Sequence, residues 1–214
     1  MRLQLIPTGM IQTNCVFLSM DDGQTLVMDP GADAGILKTH IHQNDFTVIG
    51  YPFTHGHYDH VCAIADLHDA FPAPCWMHPL DLDWAFTSRN QYPPWYQQPD
   101  PSRVPEIQPA WERDGLFEIG PFHFHTLFLP GHSPGSVGFY FEEDHLLIGG
   151  DVLFKGGMGR TDLPGGDEPA LMNSLRRLSE LPPETRVIPG HGPATTIGEE
   201  RASNPYLQHA MRNR

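Results

Sequence analysis

The segment THGHYDH at 54–60 constrains this chain more than any other. It places His55, His57, Asp59 and His60 close together in the sequence. A β-rich run, TVIGYPF at 47–53, leads directly into it. Val61, Ile64, Leu67, His68 and Phe71 then recur at helical spacing, which predicts a helix over 60–71. His55 and His57 are two apart in an extended or turn segment and can point to one side. Gly56 lets the backbone turn tightly, and Asp59 and His60 can point back from the helix start. Three imidazoles and a carboxylate so placed are a nitrogen-and-oxygen donor set for a metal.

A second pattern repeats at three further places: a strand end, a glycine, then a potential ligand. These are Pro130-Gly131-His132, Gly149-Gly150-Asp151 and Pro189-Gly190-His191, after the β-rich runs HTLFL, HLLI and RVI. In each, the glycine permits close backbone approach to a compact site. Five His and two Asp can thus converge from four segments. They exceed what one tetrahedral ion needs and suit two ions with a shared carboxylate and a bridging water. The chain has 13 His, and the others are read differently. His123 and His125 alternate with Phe122 and Phe124 and form the polar face of a strand. His40, His42, His68, His78, His145 and His209 are read as surface or hydrogen-bonded groups.

Strand-like runs at 2–6, 14–19 and 25–29 precede a modest helix at 36–43. PCWMH at 74–78 reads as a short strand and PLDLDWAF as a helix with Pro79 in its first turn. The second half gives strands at 122–129, 136–142 and 145–151, a Gly/Pro-rich loop from Lys155 to Asp167, an amphipathic helix at 168–181 and a strand at 186–190. Helical segments follow at Glu199–Arg201 and Tyr206–Met211. Strands then helices, twice over, predict an α+β fold: two sheets face to face with helices outside. Between the halves, residues 89–110 hold six prolines with Tyr92, Trp95 and Tyr96. We read this stretch as a long functional loop or lid.

The formal net charge is −13, which leaves no electrostatic footprint for phosphate backbones and argues against a nucleic-acid partner. No apolar run approaches the ~20 residues of a membrane span, so no membrane partner is expected. The start, MRLQLIPTGM, lacks the apolar region and cleavage site of a secretory signal. Cys15, Cys62 and Cys75 are odd in number and form no C-x-x-C, against a disulfide framework. The expectation is a cytoplasmic protein. Its length fits a single domain over 1–214.

H-x-H-x-D-H followed by separated His, Asp and His resembles the signature of the metallo-β-lactamase fold superfamily. The likeness covers nearly the whole chain. Within it, TNCVFL, MDPGAD, THGHYDH, LPGHSPGSVGF, LIGGDVLFKGGMGRTDLPGGD and IPGHGPATTIGEE resemble the short bacterial glyoxalase II-like (hydroxyacylglutathione hydrolase-like) hydrolases. The GDVLFKGGMGRTDLPGGD stretch narrows the match. The resemblance implies a four-layer αβ/βα sandwich of two mixed sheets. It implies that His55, His57 and His132 hold one metal, that Asp59, His60 and His191 hold the other, and that Asp151 bridges. Zinc is the implied metal, with iron as the alternative. His57 stands where the flavodiiron oxidoreductases carry Glu, and Asp151 where many true β-lactamases carry another residue. The additional C-terminal helical domain of full-length glyoxalase II is not expected here. In that pattern a Lys and a Tyr after the bridging Asp help bind glutathione. Arg160 and Asp162 stand at those positions, so the charge is kept and the hydroxyl is not.

The implied chemistry is hydrolysis of a small-molecule thioester, a glutathione-derived one by the resemblance. A bridging hydroxide attacks the carbonyl, with Asp59 and Asp151 at the reacting centre. Two divalent ions offset by those two carboxylates leave about two net positive charges, enough to lower a water's pKa toward ~7. A thiolate with a pKa near ~8.5 departs without a strong general acid. Arg160 and Lys155 are the candidate substrate-binding residues. GMGRTD also resembles persulfide dioxygenases, which share the fold and use one iron. In that alternative His55, His132 and Asp151 form a two-His-one-carboxylate set, which leaves four of the seven residues without a ligand's duty. A lactone or ester hydrolase is the other alternative.

Overall fold

The computed structural model describes residues 1–212. Residues 213 and 214 of the expected 1–214 domain lie outside the described residues. The chain divides into two compact units. Unit 1 comprises Met1–Ala110 with Glu118–Phe122. Unit 2 comprises Trp111–Phe117 and the chain from His123 onward.

Unit 1 carries β1 (Arg2–Thr8), β2 (Thr13–Ser19), β3 (Gln24–Met28), α1 (Ala34–Gln43), β4 (Thr47–Pro52), α2 (Tyr58–Val61), α3 (Ile64–Ala70), β5 (Cys75–Met77), α4 (Pro79–Ala85) and β6 (Ile107–Pro109). The six strands form one mixed sheet in chain order. The first three are antiparallel and the last three join in parallel to β3. Strand β2 is buried along its whole length, which is why NCVFLS reads as a continuous rather than alternating run. The core gathers Phe17, Val27, Leu37, Tyr51, Phe53, Ile64 and Leu67.

The helix expected over 60–71 is two helices, and it begins earlier, at Tyr58. The break has a backbone cause. The Ala63 amide, which would continue the helix to the Asp59 carbonyl, donates instead to the Pro30 carbonyl at 3.0 Å. The Asp59 carbonyl is itself covered by Gly31: a Cβ there would lie 1.6 Å from the Asp59 oxygen. The 89–110 stretch is irregular except at its end, where Ile107–Pro109 pairs with β5. Proline is tolerated in such an edge strand.

The remaining elements are β7 (Gly115–Ile119), β8 (Phe122–Phe128), β9 (Val137–Phe141), β10 (Leu146–Gly150), β11 (Leu153–Phe154), β12 (Gly157–Met158), α5 (Glu168–Leu178), β13 (Arg186–Pro189), β14 (Thr195–Thr196), α6 (Ile197–Ser203) and α7 (Pro205–Arg212). The second six-stranded sheet runs β14-β13-β10-β9-β8-β7. Strands β10 and β13 pair in parallel, while β9–β10, β13–β14 and β8–β9 pair antiparallel, so this sheet too is mixed. Phe122 and Phe124 are buried while His123 is exposed and His125 half-buried, as the alternation predicts. Helix α5 buries Leu171, Leu175 and Leu178. Asp167 caps it by accepting from the Ala170 amide at 2.9 Å, and it ends at Leu178 rather than 181. Strands β7 and β14 and the β11–β12 hairpin were not expected. β11, β12 and β14 are two residues each, too short to mark a strand, and β7 leaves Leu116 and Phe117 exposed rather than alternating into a core.

Candidate metal centre

In unit 1, His55, His57, Asp59 and His60 are all buried. The segment after β4 is pinned by side chains from three directions. Asp29 ends β3 in the left-handed region, with φ 51°. Its carboxylate accepts from the Thr54 amide at 2.8 Å, from the Thr54 hydroxyl, and from His60 Nδ1 at 2.9 Å. Asp81, fully buried, accepts from the Gly56 amide at 2.8 Å. The Thr13 hydroxyl donates to Asp59 Oδ2 at 2.8 Å.

These bonds set the tautomers. His60 donates from Nδ1 to Asp29, which leaves the Nε2 lone pair for an ion. The Thr54 hydroxyl gives its proton to Asp29, so it accepts from His55 Nδ1 at 3.1 Å, and His55 Nε2 is likewise left with its lone pair for an ion. His60 Nε2 lies 3.3 Å from Asp59 Oδ2. The His55 ring centroid lies 4.0 Å from that of His60 and 4.9 Å from that of His57. Asp29 also stands within ligand range of His55 and His60. Its oxygens are occupied by three donors, so it orients ligands rather than serving as one. Sequence reading quoted MDPGAD but assigned Asp29 nothing. The available signal was an acidic residue closing a strand directly before Pro-Gly.

In unit 2, His132, Asp151 and His191 follow three different β-rich runs. The Gly190 amide donates to the Gly150 carbonyl at 2.9 Å. This joins the ends of the parallel strands β10 and β13, so Asp151 and His191 leave the sheet as neighbours. His132 Nε2 lies 3.5 Å and His191 Nε2 3.4 Å from one atom, Asp151 Oδ2. His132 Nδ1 donates to the Arg160 carbonyl at 2.8 Å, which again leaves Nε2 for an ion. The donor set of unprotonated imidazole nitrogens about a carboxylate oxygen fits a borderline divalent cation. Gly159 lies flush against the Asp151 carbonyl, where a Cβ would sit 1.9 Å from the oxygen.

Arg160 and Lys155 are both exposed. The Arg160 guanidinium forms a two-point pair with Asp162, at 2.6 and 2.8 Å. That hydrogen-bonded guanidinium holds the Asp162 carboxyl down to about 2. In unit 1, Tyr96 of the proline-rich stretch is buried with its ring 4.8 Å from that of Tyr58, the residue between His57 and Asp59 in the sequence. Trp95 and Tyr96, with Met10, Asp33, Cys62 and Arg103, line a cavity of ≈ 770 Å³.

A family model described as the metallo-beta-lactamase superfamily matches residues 8–191. A relative from Bacillus subtilis (strain 168), named probable metallo-hydrolase YqgX, is 38% identical over 97% of this chain and 98% of its own length. Hydroxyacylglutathione hydrolase GloC of Haemophilus influenzae is 35% identical over 97% of this chain and 98% of its own. Among solved structures, BLEG-1 B3 metallo-beta-lactamase matches with TM-score 0.86 and 37% identity, covering 96% of this chain and 99% of that one. TTHA1623 in a di-iron-bound form matches with TM-score 0.84 and 38% identity, covering 95% and 99%.

Proposed function

The chain belongs to the metallo-β-lactamase superfamily, and from that footing we propose that it is a dinuclear metallo-hydrolase that cleaves a thioester of the hydroxyacylglutathione type. One observation supports the dinuclear reading: a single oxygen, Asp151 Oδ2, lies 3.5 and 3.4 Å from the Nε2 atoms of His132 and His191, the two imidazoles assigned to different ions. The family model runs through both units, and on that basis we assign the seven ligands to one centre. His55, His57 and His132 would hold one ion, Asp59, His60 and His191 the other, and Asp151 both. Zinc fits this nitrogen-and-oxygen set. Iron is the alternative, favoured by the di-iron form of TTHA1623.

When bound, the ions supply the charge that acidifies a water toward neutral pH and stabilises a developing oxyanion. The chain's own residues do the rest. Asp59, with Oδ2 held by Thr13, orients the attacking water. Asp29 and the Arg160 carbonyl keep the proton of His60 and of His132 on Nδ1. Expulsion of a thiolate needs no side-chain acid. Arg160 and Lys155 supply positive charge for an anionic substrate in a chain of net charge −13. The relative named as a hydroxyacylglutathione hydrolase supports the thioester over other acyl groups. The free thiols of Cys15, Cys62 and Cys75 fit a reducing compartment, and we place the protein in the cytoplasm. Among the described residues no helix is long and apolar enough to cross a membrane.

The test is metal analysis of cell-purified protein together with turnover of lactoylglutathione, glutathione persulfide, a lactone and a β-lactam. Close to two ions per chain and preferred turnover of the thioester are expected. One iron per chain with oxygen consumed on the persulfide, or a β-lactam turned over faster than the thioester, overturns the reading.

A further inference from the structure

The run TTIGEE at 195–200, which follows His191, has no duty in the chemistry above. Glu200 on α6 is 1% exposed. Its Oε1 accepts from the Thr195 hydroxyl, and its Oε2 accepts from the Gly156 amide and from Asn204 Nδ2, each at 2.8 Å. Asn204 is fully buried. Its Nδ2 also donates to the Gly157 carbonyl at 2.9 Å and the Phe154 carbonyl at 3.3 Å. Its Oδ1 accepts from the Tyr206 amide at 3.0 Å and so caps α7. All these donors to Glu200 are neutral. Burying a carboxylate among them costs more than an apolar side chain of the same volume would.

The bonds converge on one object, the β11–β12 hairpin. It has two strand pairs, Leu153↔Met158 and Phe154↔Gly157, and so short a hairpin does not hold itself. Its turn is Lys155-Gly156, with Gly156 at φ +71°. The hairpin meets every unit 2 ligand. Asp151 is its root. Its far end returns through Gly159, whose amide donates to the Val152 carbonyl at 3.2 Å, to Arg160, whose carbonyl holds His132. The Phe154 ring stands edge-on to His191, with centroids 6.2 Å apart.

We propose that Glu200 and Asn204 are positioning residues, a buried clamp that fixes the 151–160 hairpin and thereby holds Asp151, His132 and His191 in register for metal. This rests on the metal-centre reading above. The clamp acts by hydrogen bonds to main chain, so an amide of the same shape can replace the carboxylate. In Glu200→Gln the amide oxygen would keep Gly156 and Asn204. Its NH2 would donate to Thr195, whose proton passes to Glu199 Oε2, 3.1 Å away.

The test is release of zinc from the loaded, full-length protein to a chromogenic chelator, with melting temperature measured in parallel. Glu200→Ala and Asn204→Ser are compared with Glu200→Gln and Arg201→Ala. Serine caps a helix as well as asparagine does, so Asn204→Ser keeps α7 while losing the hairpin bonds, and it serves if Glu200→Ala does not fold. Arg201 anchors the same helix elsewhere, to the carbonyls of Ser179 and Leu181. Release about tenfold faster in Glu200→Ala and Asn204→Ser is expected, the scale set by partners of metal ligands. Glu200→Gln should stay near wild type, and Arg201→Ala should melt lower with release unchanged. Wild-type release from Asn204→Ser, or equally fast release from Arg201→Ala, overturns the clamp while leaving the metal centre standing. A wild-type protein that retains no metal removes the reading beneath it, and the clamp with it.

Discussion

Unit 1 carries four of the proposed ligands in one short segment, His55 to His60, and side chains hold it: Asp29, Asp81 and Thr13 each bond to it. Unit 2 carries three proposed ligands after separate β-rich runs, and main chain meets them directly, with Glu200 and Asn204 acting one step behind it on the hairpin backbone. The Gly190–Gly150 bond aligns two strand ends, and the Arg160 carbonyl receives His132. The two arrangements reach similar donor chemistry by opposite means. One is vulnerable to loss of a supporting side chain, the other to displacement of backbone.

The largest break falls on the shared ligand. Asp151→Ala should lose most bound metal and lower thioester turnover about a thousandfold or more, equivalent to several kcal/mol of charge stabilisation. Metal analysis with steady-state kinetics checks this, and full metal retention would refute the bridging role.

Next is the support of unit 1. Asp29→Ala frees His60 Nδ1 and the Thr54 hydroxyl together and should weaken metal binding by about 10–100-fold. Competition with a chelator measures it. Arg160→Ala is its counterpart in unit 2, and there the contrast sharpens. The bond to His132 comes from the Arg160 main-chain carbonyl, which the substitution keeps, so metal content should be unchanged. KM for the anionic thioester should rise about tenfold, or ~1.4 kcal/mol, with little change on a neutral ester. Equal loss on both substrates would mean that the pair with Asp162 is structural.

Alkaline pH should separate the units by their buried acids. Burial pushes the Cys15 and Tyr51 protons well above their ordinary range and the Cys75 thiol up to about 12. All three lie in unit 1. Their protons leave the unfolded chain first, so stability present below about pH 8.5 falls as pH rises, by about 1.4 kcal/mol per pH unit for each titrating group. Hydrogen-exchange protection, corrected for the base-catalysed rise common to every amide, should fall in β2, β4 and β5 before β10 and β13, and an equal fall in both units would contradict this. Smallest is the proline-rich stretch: Trp95→Ala should raise KM a few-fold, at ~0.6 kcal/mol, and unchanged kinetics would remove the lid.

The same contrast governs what could be read from residues alone. The unit 1 donor cluster was legible because its spacing is local, and the strand-Gly pattern marked His132, Asp151 and His191 as the matching candidates in unit 2. Asp29 was not legible, because its partner His60 lies 31 positions away, and an acidic residue before Pro-Gly marks a strand end without saying what it contacts. The helix break at 62–63 was invisible for a related reason: Val61, Ile64 and Leu67 keep helical spacing while a bond to Pro30 interrupts the ladder. Glu200 read only as part of the helical segment Glu199–Arg201, with no sign that it is buried. Its four-residue spacing to Asn204 is local, but its link to Gly156 is not.

Gly31 and Gly159 carry a consequence for anyone reading variants of this gene. Each lies flush against the carbonyl of a proposed aspartate ligand, Asp59 in one unit and Asp151 in the other. A single methyl at either would press on the ligand's own backbone. In a saturation library scored for growth or turnover, these two glycines should be as intolerant as the ligands themselves, though neither has a side chain with which to bind anything.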